Sequence, residues 1–71
     1  MIKISGPKIQ EVVSLINEKE IDEILYSQIG EISGIQAFFN INSLNEEKAK
    51  EGVKKFLKTN MRYYTYYVEI V

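Results

Sequence analysis

The sequence contains no cysteine and no histidine among its 71 residues. Without cysteine there is no disulfide, and without both residue types the usual zinc sites and the Cys/His or Ser/His nucleophile pairs cannot be built. Acid–base chemistry would have to fall to Asp, Glu, Lys or Tyr. We therefore expect no metal, no cofactor and no catalytic site in this chain.

Long apolar runs and a strong net charge are missing as well. No stretch approaches the roughly 20 apolar residues of a membrane span, and "MIKISGPK" turns polar too early for a signal peptide. The formal net charge is −1, so no overall field attracts the chain to nucleic acid or to an anionic membrane. These features predict a cytoplasmic protein without a membrane partner, and they disfavour nucleic acid as a partner.

Charge is nevertheless distributed unevenly along the chain. Residues 8–31 carry six acidic side chains, whereas residues 48–62 carry six basic ones: Lys48, Lys50, Lys54, Lys55, Lys58 and Arg62. Such lysines ordinarily form a solvated helix face. A docking surface for an acidic partner is the alternative.

The first half of the chain predicts a strand and a helix within one compact domain, residues 1–71. Hydrophobic residues make up 45% of the chain, which is typical of a globular domain. "MIKIS" alternates apolar and polar residues, as a half-buried strand does. A helix follows, because apolar residues recur at positions i, i+3, i+4 and i+7: Ile9, Val12, Val13 and Ile16.

The middle of the chain predicts two strands and a second helix. Residues 21–33 favour a strand by composition, although they alternate poorly and Gly30 suggests a bulge or turn. Residues 35–42 alternate cleanly, with Phe38 on the polar face. A helix then begins near Ser43 and Glu46, which have capping-box spacing. Its buried stripe comprises Ala49, Val53, Phe56 and Leu57.

With a last strand at the end of the chain, the element order is β-α-β-β-α-β. Right-handed crossovers in this order predict a ferredoxin-like α+β sandwich. Its sheet would be antiparallel and four-stranded, in the order 4-1-3-2, with both helices on one face.

The last strand is rich in tyrosine: the chain ends in "NMRYYTYYVEIV". Period-two alternation places Tyr64 and Tyr66 on the core face, and Tyr63 and Tyr67 on the face that no helix covers. Strand propensity alone accounts for tyrosines at exposed strand positions. Exposed tyrosines are also favoured at interfaces.

Two further residues share the uncovered face in this prediction. Phe38 comes from the third strand, and Lys3 lies in the first strand between Phe38 and a tyrosine. An exposed face of this kind is unusually adhesive for a small monomer. The candidate partner-binding residues are therefore Lys3, Phe38, Tyr63 and Tyr67.

Two other functions fit the predicted topology. "ISGPKIQEVVSLINEKEID" followed by "FFNINSLNEEKAKEGVKKFLK" resembles the rhythm of ACT domains. The resemblance implies a regulatory domain that binds a small ligand near the Ser5-Gly6-Pro7 loop. Single-stranded nucleic acid binding is the weaker alternative, because "GIQAFFNIN" lacks the basic residue and second glycine of the RNA-recognition signature.

An enzyme is the least favoured class. Lys3 beside two tyrosines could act as a base, but the pattern brings no second catalytic group to it. We therefore expect a small non-catalytic interaction protein that acts through the open sheet face. Its expected partner is a second copy of the chain, reached by sheet stacking or by pairing of the last strand's edge.

Overall fold

The computed structural model describes all 71 residues, Met1–Val71, and shows one antiparallel sheet of five strands with two helices. The strands are β1 (Ile2–Ser5), β2 (Lys19–Ile21), β3 (Ile24–Ser33), β4 (Gln36–Ile41) and β5 (Tyr67–Ile70). The helices are α1 (Ile9–Ile16) and α2 (Glu46–Asn60). The strand order in the sheet is β2-β3-β4-β1-β5.

The predicted four-stranded ferredoxin-like sandwich with order 4-1-3-2 is wrong, because β2 makes the sheet five-stranded. This strand, Lys19–Ile21, lies just after the last apolar position of the predicted first helix, Ile16, and before most of the second strand predicted over residues 21–33. Helix α1 stops at Ile16, and Glu18 then turns the chain with a left-handed φ of 61°. The Glu18 N–H donates to the Tyr26 carbonyl at 2.7 Å, which brings the acidic segment alongside β3 as an extra edge strand.

The core lies between the helices and one face of the sheet. Fifteen buried apolar residues form one cluster, so strands and helices share a single core. The predicted helix stripes are confirmed at Ile9, Val12 and Ile16 of α1 and at Ala49, Val53 and Leu57 of α2. On the sheet, the core-facing residues Ile2 and Ile4 of β1 and Ala37 and Phe39 of β4 are fully buried, while Ile41 at the end of β4 is partly buried.

Tyr26 of β3 brings a hydroxyl group into this apolar core. It is among the largest fully buried side chains, and its hydroxyl donates to the Ala49 carbonyl of α2 at 2.6 Å. Burial, together with the nearby Asp22 carboxylate, raises the pKa of Tyr26 to about 12. The bond satisfies a polar group that would be costly to bury alone and holds α2 against β3.

The connection between β2 and β3 is a two-residue turn. Both central residues are left-handed, with φ of 52° at Asp22 and 68° at Glu23. Type I′ hairpins require this geometry and favour Asn-Gly for it. The turn packs close to α2, where a Cβ on Gly52 would lie 3.0 Å from an Asp22 carboxylate oxygen. Glycine at position 52 therefore leaves room for the hairpin.

Helix α2 is capped by a residue other than the predicted one. The Asn45 side chain accepts a hydrogen bond from the Lys48 N–H at 3.0 Å, while the Ser43 hydroxyl accepts only from the Asn45 N–H. Glu46 binds the N-terminal amino group instead, at 2.6 Å. The predicted Ser43–Glu46 capping box is wrong, because the asparagine amide reaches the first turn from a position nearer the helix.

We predict that Tyr26→Phe lowers the free energy of unfolding by about 1 kcal/mol near neutral pH, since one hydrogen bond is lost and the ring remains. The pH dependence should change as well. Because the folded-state pKa is about 12 against an ordinary 10.0, the stability that Tyr26 contributes is complete below pH 10 and is lost as the pH rises towards 12. Urea unfolding across this range should show a shallower decline for the variant than for wild type.

The control for this prediction is Tyr63→Phe, which removes the hydroxyl of a side chain that is 83% exposed. This variant should keep the wild-type decline. If the free energy of unfolding of Tyr26→Phe declines with pH as steeply as that of wild type, the Tyr26 hydroxyl does not resist ionisation in the folded protein.

We also predict that Glu23→Gly raises the free energy of unfolding by about 0.5–1 kcal/mol, because glycine adopts the left-handed conformation without a Cβ clash. Glu20→Gly is the matched control within the same hairpin. Glu20 lies in β2 with extended backbone, where glycine weakens a strand. The midpoint temperature of thermal unfolding should rise for Glu23→Gly and fall for Glu20→Gly. If both variants are destabilised, the left-handed conformation of Glu23 does not strain the turn.

Candidate interaction surface

The strand residues that alternate with the core residues form the second face of the sheet, which we call the open face. Both helices bury their stripes in the core cluster on the other side. One row of direct neighbours crosses the open face from β3 to β5: Ile29, Phe38, Lys3 and Glu69. The adjacent row contains Gln36, Ser5 and Tyr67.

Lys3 lies at the centre of the open face and is already paired. It is directly opposite Phe38 on one side and Glu69 on the other, whereas the sequence analysis expected a tyrosine in the second position. Its Nζ lies 3.2 Å from the Glu69 carboxylate, and 20% of the Lys3 side chain is exposed. The pair neutralises both charges, so the centre of the open face offers no free cation to a partner.

The structure separates the two tyrosines that were predicted to share this face. Tyr67 opens β5 on the open face and is 70% exposed. Tyr63 lies before the strand, in a turn where the Tyr64 N–H donates to the Met61 carbonyl at 3.1 Å. Its ring stacks instead on Arg62, whose guanidinium carbon is 5.2 Å from the ring centroid. Tyr63 is therefore not part of the open face, because β5 begins four residues later than alternation suggested.

The remaining tyrosines of this segment also differ from each other. Tyr66 packs against the core, as predicted, whereas Tyr64 is 41% exposed and the prediction of a core position is wrong. The Tyr66 hydroxyl donates to the Pro7 carbonyl at 2.6 Å. Burial raises the pKa of Tyr66, and the neighbouring Tyr64 and Glu11 raise it further.

The Tyr66 ring accounts for the glycine in the loop between β1 and α1. A Cβ on Gly6 would overlap the Tyr66 ring, so only glycine lets the ring lie against this loop. The residues Gly6 and Pro7 thus have a packing role in the structure. The ligand site that the ACT resemblance implies for the same loop stays a prediction.

Strand β5 leaves one edge of the sheet unpaired, since its sole neighbour is β1. Just beyond the strand, the Val71 N–H donates inwards to the Met1 carbonyl at 2.9 Å. In an antiparallel pair the backbone groups of successive residues point alternately inwards and outwards. Val68 and Ile70 therefore direct their N–H and C=O groups outwards, and neither proline nor lysine occurs in the strand to discourage pairing.

Two other features are absent from the structure: a cluster of metal ligands and a membrane-spanning helix. No group of three or more acidic residues is placed to hold a metal ion. Neither helix is long and apolar enough to cross a membrane. No protein-family model, curated protein or solved structure matches the chain.

We predict that Gly6→Ala lowers the free energy of unfolding by about 1–3 kcal/mol, as overpacking does, because the new methyl group displaces the Tyr66 ring. A double-mutant cycle with Tyr66→Ala tests the cause. In the Tyr66→Ala background the cost of Gly6→Ala should fall but not vanish, because the positive φ of 158° and the Thr65 carbonyl oxygen, 3.1 Å from the added Cβ, remain. An undiminished cost would show that the loop itself, rather than the ring, requires glycine.

Proposed function

We propose that the chain is a non-catalytic interaction protein that binds a second copy of itself where the open face meets the edge of β5. The observation that carries the proposal is the unpaired outer edge of β5, beside an exposed tyrosine. Adding a strand from another molecule satisfies outward backbone groups without any new secondary structure. A two-fold dimer closes on itself and leaves no further edge of β5 free.

Self-pairing of β5 is restricted to a few registers. Antiparallel partners that face each other must lie on the same side of the sheet, so open-face residues must meet open-face residues. With Val68 on the two-fold axis, its outward backbone groups bond to Val68 of the second copy. This register places Tyr67 of each copy opposite Glu69 of the other.

A neighbouring register, centred on Glu69, is disfavoured by charge. With Glu69 on the axis, two glutamates would lie directly opposite each other, and like charges in this position are destabilising. The Val68-centred register avoids that contact, and each Glu69 keeps its own Lys3 at 3.2 Å. Lys3 thus contributes to the dimer by neutralising the Glu69 carboxylate beside the paired β5 strands, and Tyr67 supplies the exposed contact area.

Phe38 distinguishes this arrangement from stacking of two open faces. It lies on β4, two strands away from the β5 edge, and an edge-paired second copy leaves it uncovered. Stacked faces would cover it instead. Both arrangements are dimers, but substitution of Phe38 should weaken only the dimer with stacked faces.

We expect light scattering across a concentration series to show a dimer for wild type. Tyr67→Ala should raise the dissociation constant about tenfold, the usual effect of losing an aromatic contact worth about 1.4 kcal/mol. Tyr63→Ala is the matched control: it removes a still more exposed tyrosine outside the sheet and should leave the constant unchanged. Circular dichroism should show that both variants remain folded.

The backbone contribution is tested at Val68. Val68→Pro removes an outward N–H, which an edge strand tolerates, and should abolish dimerisation. Val68→Ala, which keeps that N–H, should still dimerise. A wild type that stays monomeric at every concentration would overturn the proposal. If Phe38→Ala dissociates the dimer and Val68→Pro does not, the two copies associate by stacking their open faces and not by pairing their β5 edges.

A further inference from the structure

A cleft lies between the C-terminal half of α2 and the chain that leads into β5. Its volume is about 260 Å³. Two core residues form its apolar floor, Leu57 of α2, which is 2% exposed, and Val68 of β5, which is 7% exposed. Tyr64 and Tyr66 add aromatic walls, so the cleft combines an apolar base with a basic rim.

The charged residues lining the cleft are all basic: Lys54, Lys58 and Arg62. Neither Lys58 nor Arg62 takes part in any of the ion pairs of the chain. Lys54 has only Glu51, at 3.9 Å on the helix surface. The whole chain carries a net charge of −1. The positive charge at the cleft therefore reflects how the fold gathers these three residues and not an excess of basic residues in the chain.

The helix dipole accounts for only part of this cluster. A basic residue in the last turn, here Lys58, offsets the partial negative charge at a helix C-terminus. Lys54 lies before the last turn and Arg62 lies beyond the helix, so neither is explained in this way. Arg62 donates one hydrogen bond, to the Tyr63 hydroxyl at 3.2 Å, and a guanidinium has five donors to offer.

We propose that this cleft binds a small organic anion, a carboxylate or phosphate with an apolar ring. The anionic group would contact Lys54, Lys58 and Arg62, and the ring would lie on Leu57 and Val68. A dry cavity of about 150 Å³ suffices for benzene, so 260 Å³ accommodates one ring with a charged substituent. The inference does not depend on self-association of the chain.

Four probes test the proposal by NMR titration of the full chain. Phenyl phosphate and benzoate carry both groups, benzyl alcohol carries the ring alone, and inorganic phosphate carries the charge alone. We expect saturable shifts of the Leu57, Thr65 and Val68 amides with at least one ring-bearing anion, and about tenfold weaker binding of both benzyl alcohol and inorganic phosphate. The comparison of phenyl phosphate with benzoate shows which anionic group is preferred.

Variants in α2 and just beyond its C-terminus locate the site. Lys58→Ala and Arg62→Ala should each weaken the better ring-bearing anion about tenfold, since each removes a charged hydrogen-bond donor. Lys48→Ala is the matched control, a lysine of the same helix outside the cleft, and should have no effect. The proposal fails if no probe saturates, if inorganic phosphate binds as tightly as the ring-bearing anions, or if Lys48→Ala weakens binding as much as Arg62→Ala.

Discussion

One buried hydrogen bond, from the Tyr26 hydroxyl to the Ala49 carbonyl, joins α2 to the sheet within their shared core. A chain of 71 residues without disulfides has little stability in reserve, so a buried hydroxyl without a partner would be a serious loss. The backbone of α2 comes within reach because small residues, Ala49 and Gly52, face the β2–β3 hairpin. The β2–β3 hairpin, the Tyr26 side chain and α2 therefore depend on one another for their positions.

Periodicity made part of this fold predictable. The alternation of β1 and β4 and the stripes of both helices can be read locally, because burial on one side requires every second strand residue or every third to fourth helix residue. Strand β2 could not be predicted in this way. It consists of Lys19, Glu20 and Ile21, and its turn uses Asp22 and Glu23 in left-handed conformations, where the usual asparagine or glycine signal is missing.

The candidate sites show the same limit. The pairing of Lys3 with Phe38 follows from two alternating strands and was predictable. The displacement of Tyr63 was not, because it depends on where α2 ends and on the turn in which Met61 returns to the core. The basic cleft also escaped the sequence analysis: its lysines looked like a solvated face until the crossing of α2 over β5 placed Tyr64 and Val68 beside them.

Strand β5 contributes to the open face, to the free edge of the sheet and to the cleft. It can do so because a strand residue presents its backbone and its side chain in perpendicular directions. The Val68 side chain lies in the core and forms part of the cleft floor, while its N–H and C=O point to the free edge. Tyr67, the preceding residue, faces the open side. Occupation of the cleft therefore need not compete with a second strand at the edge, so the two proposed sites are compatible on one four-residue strand.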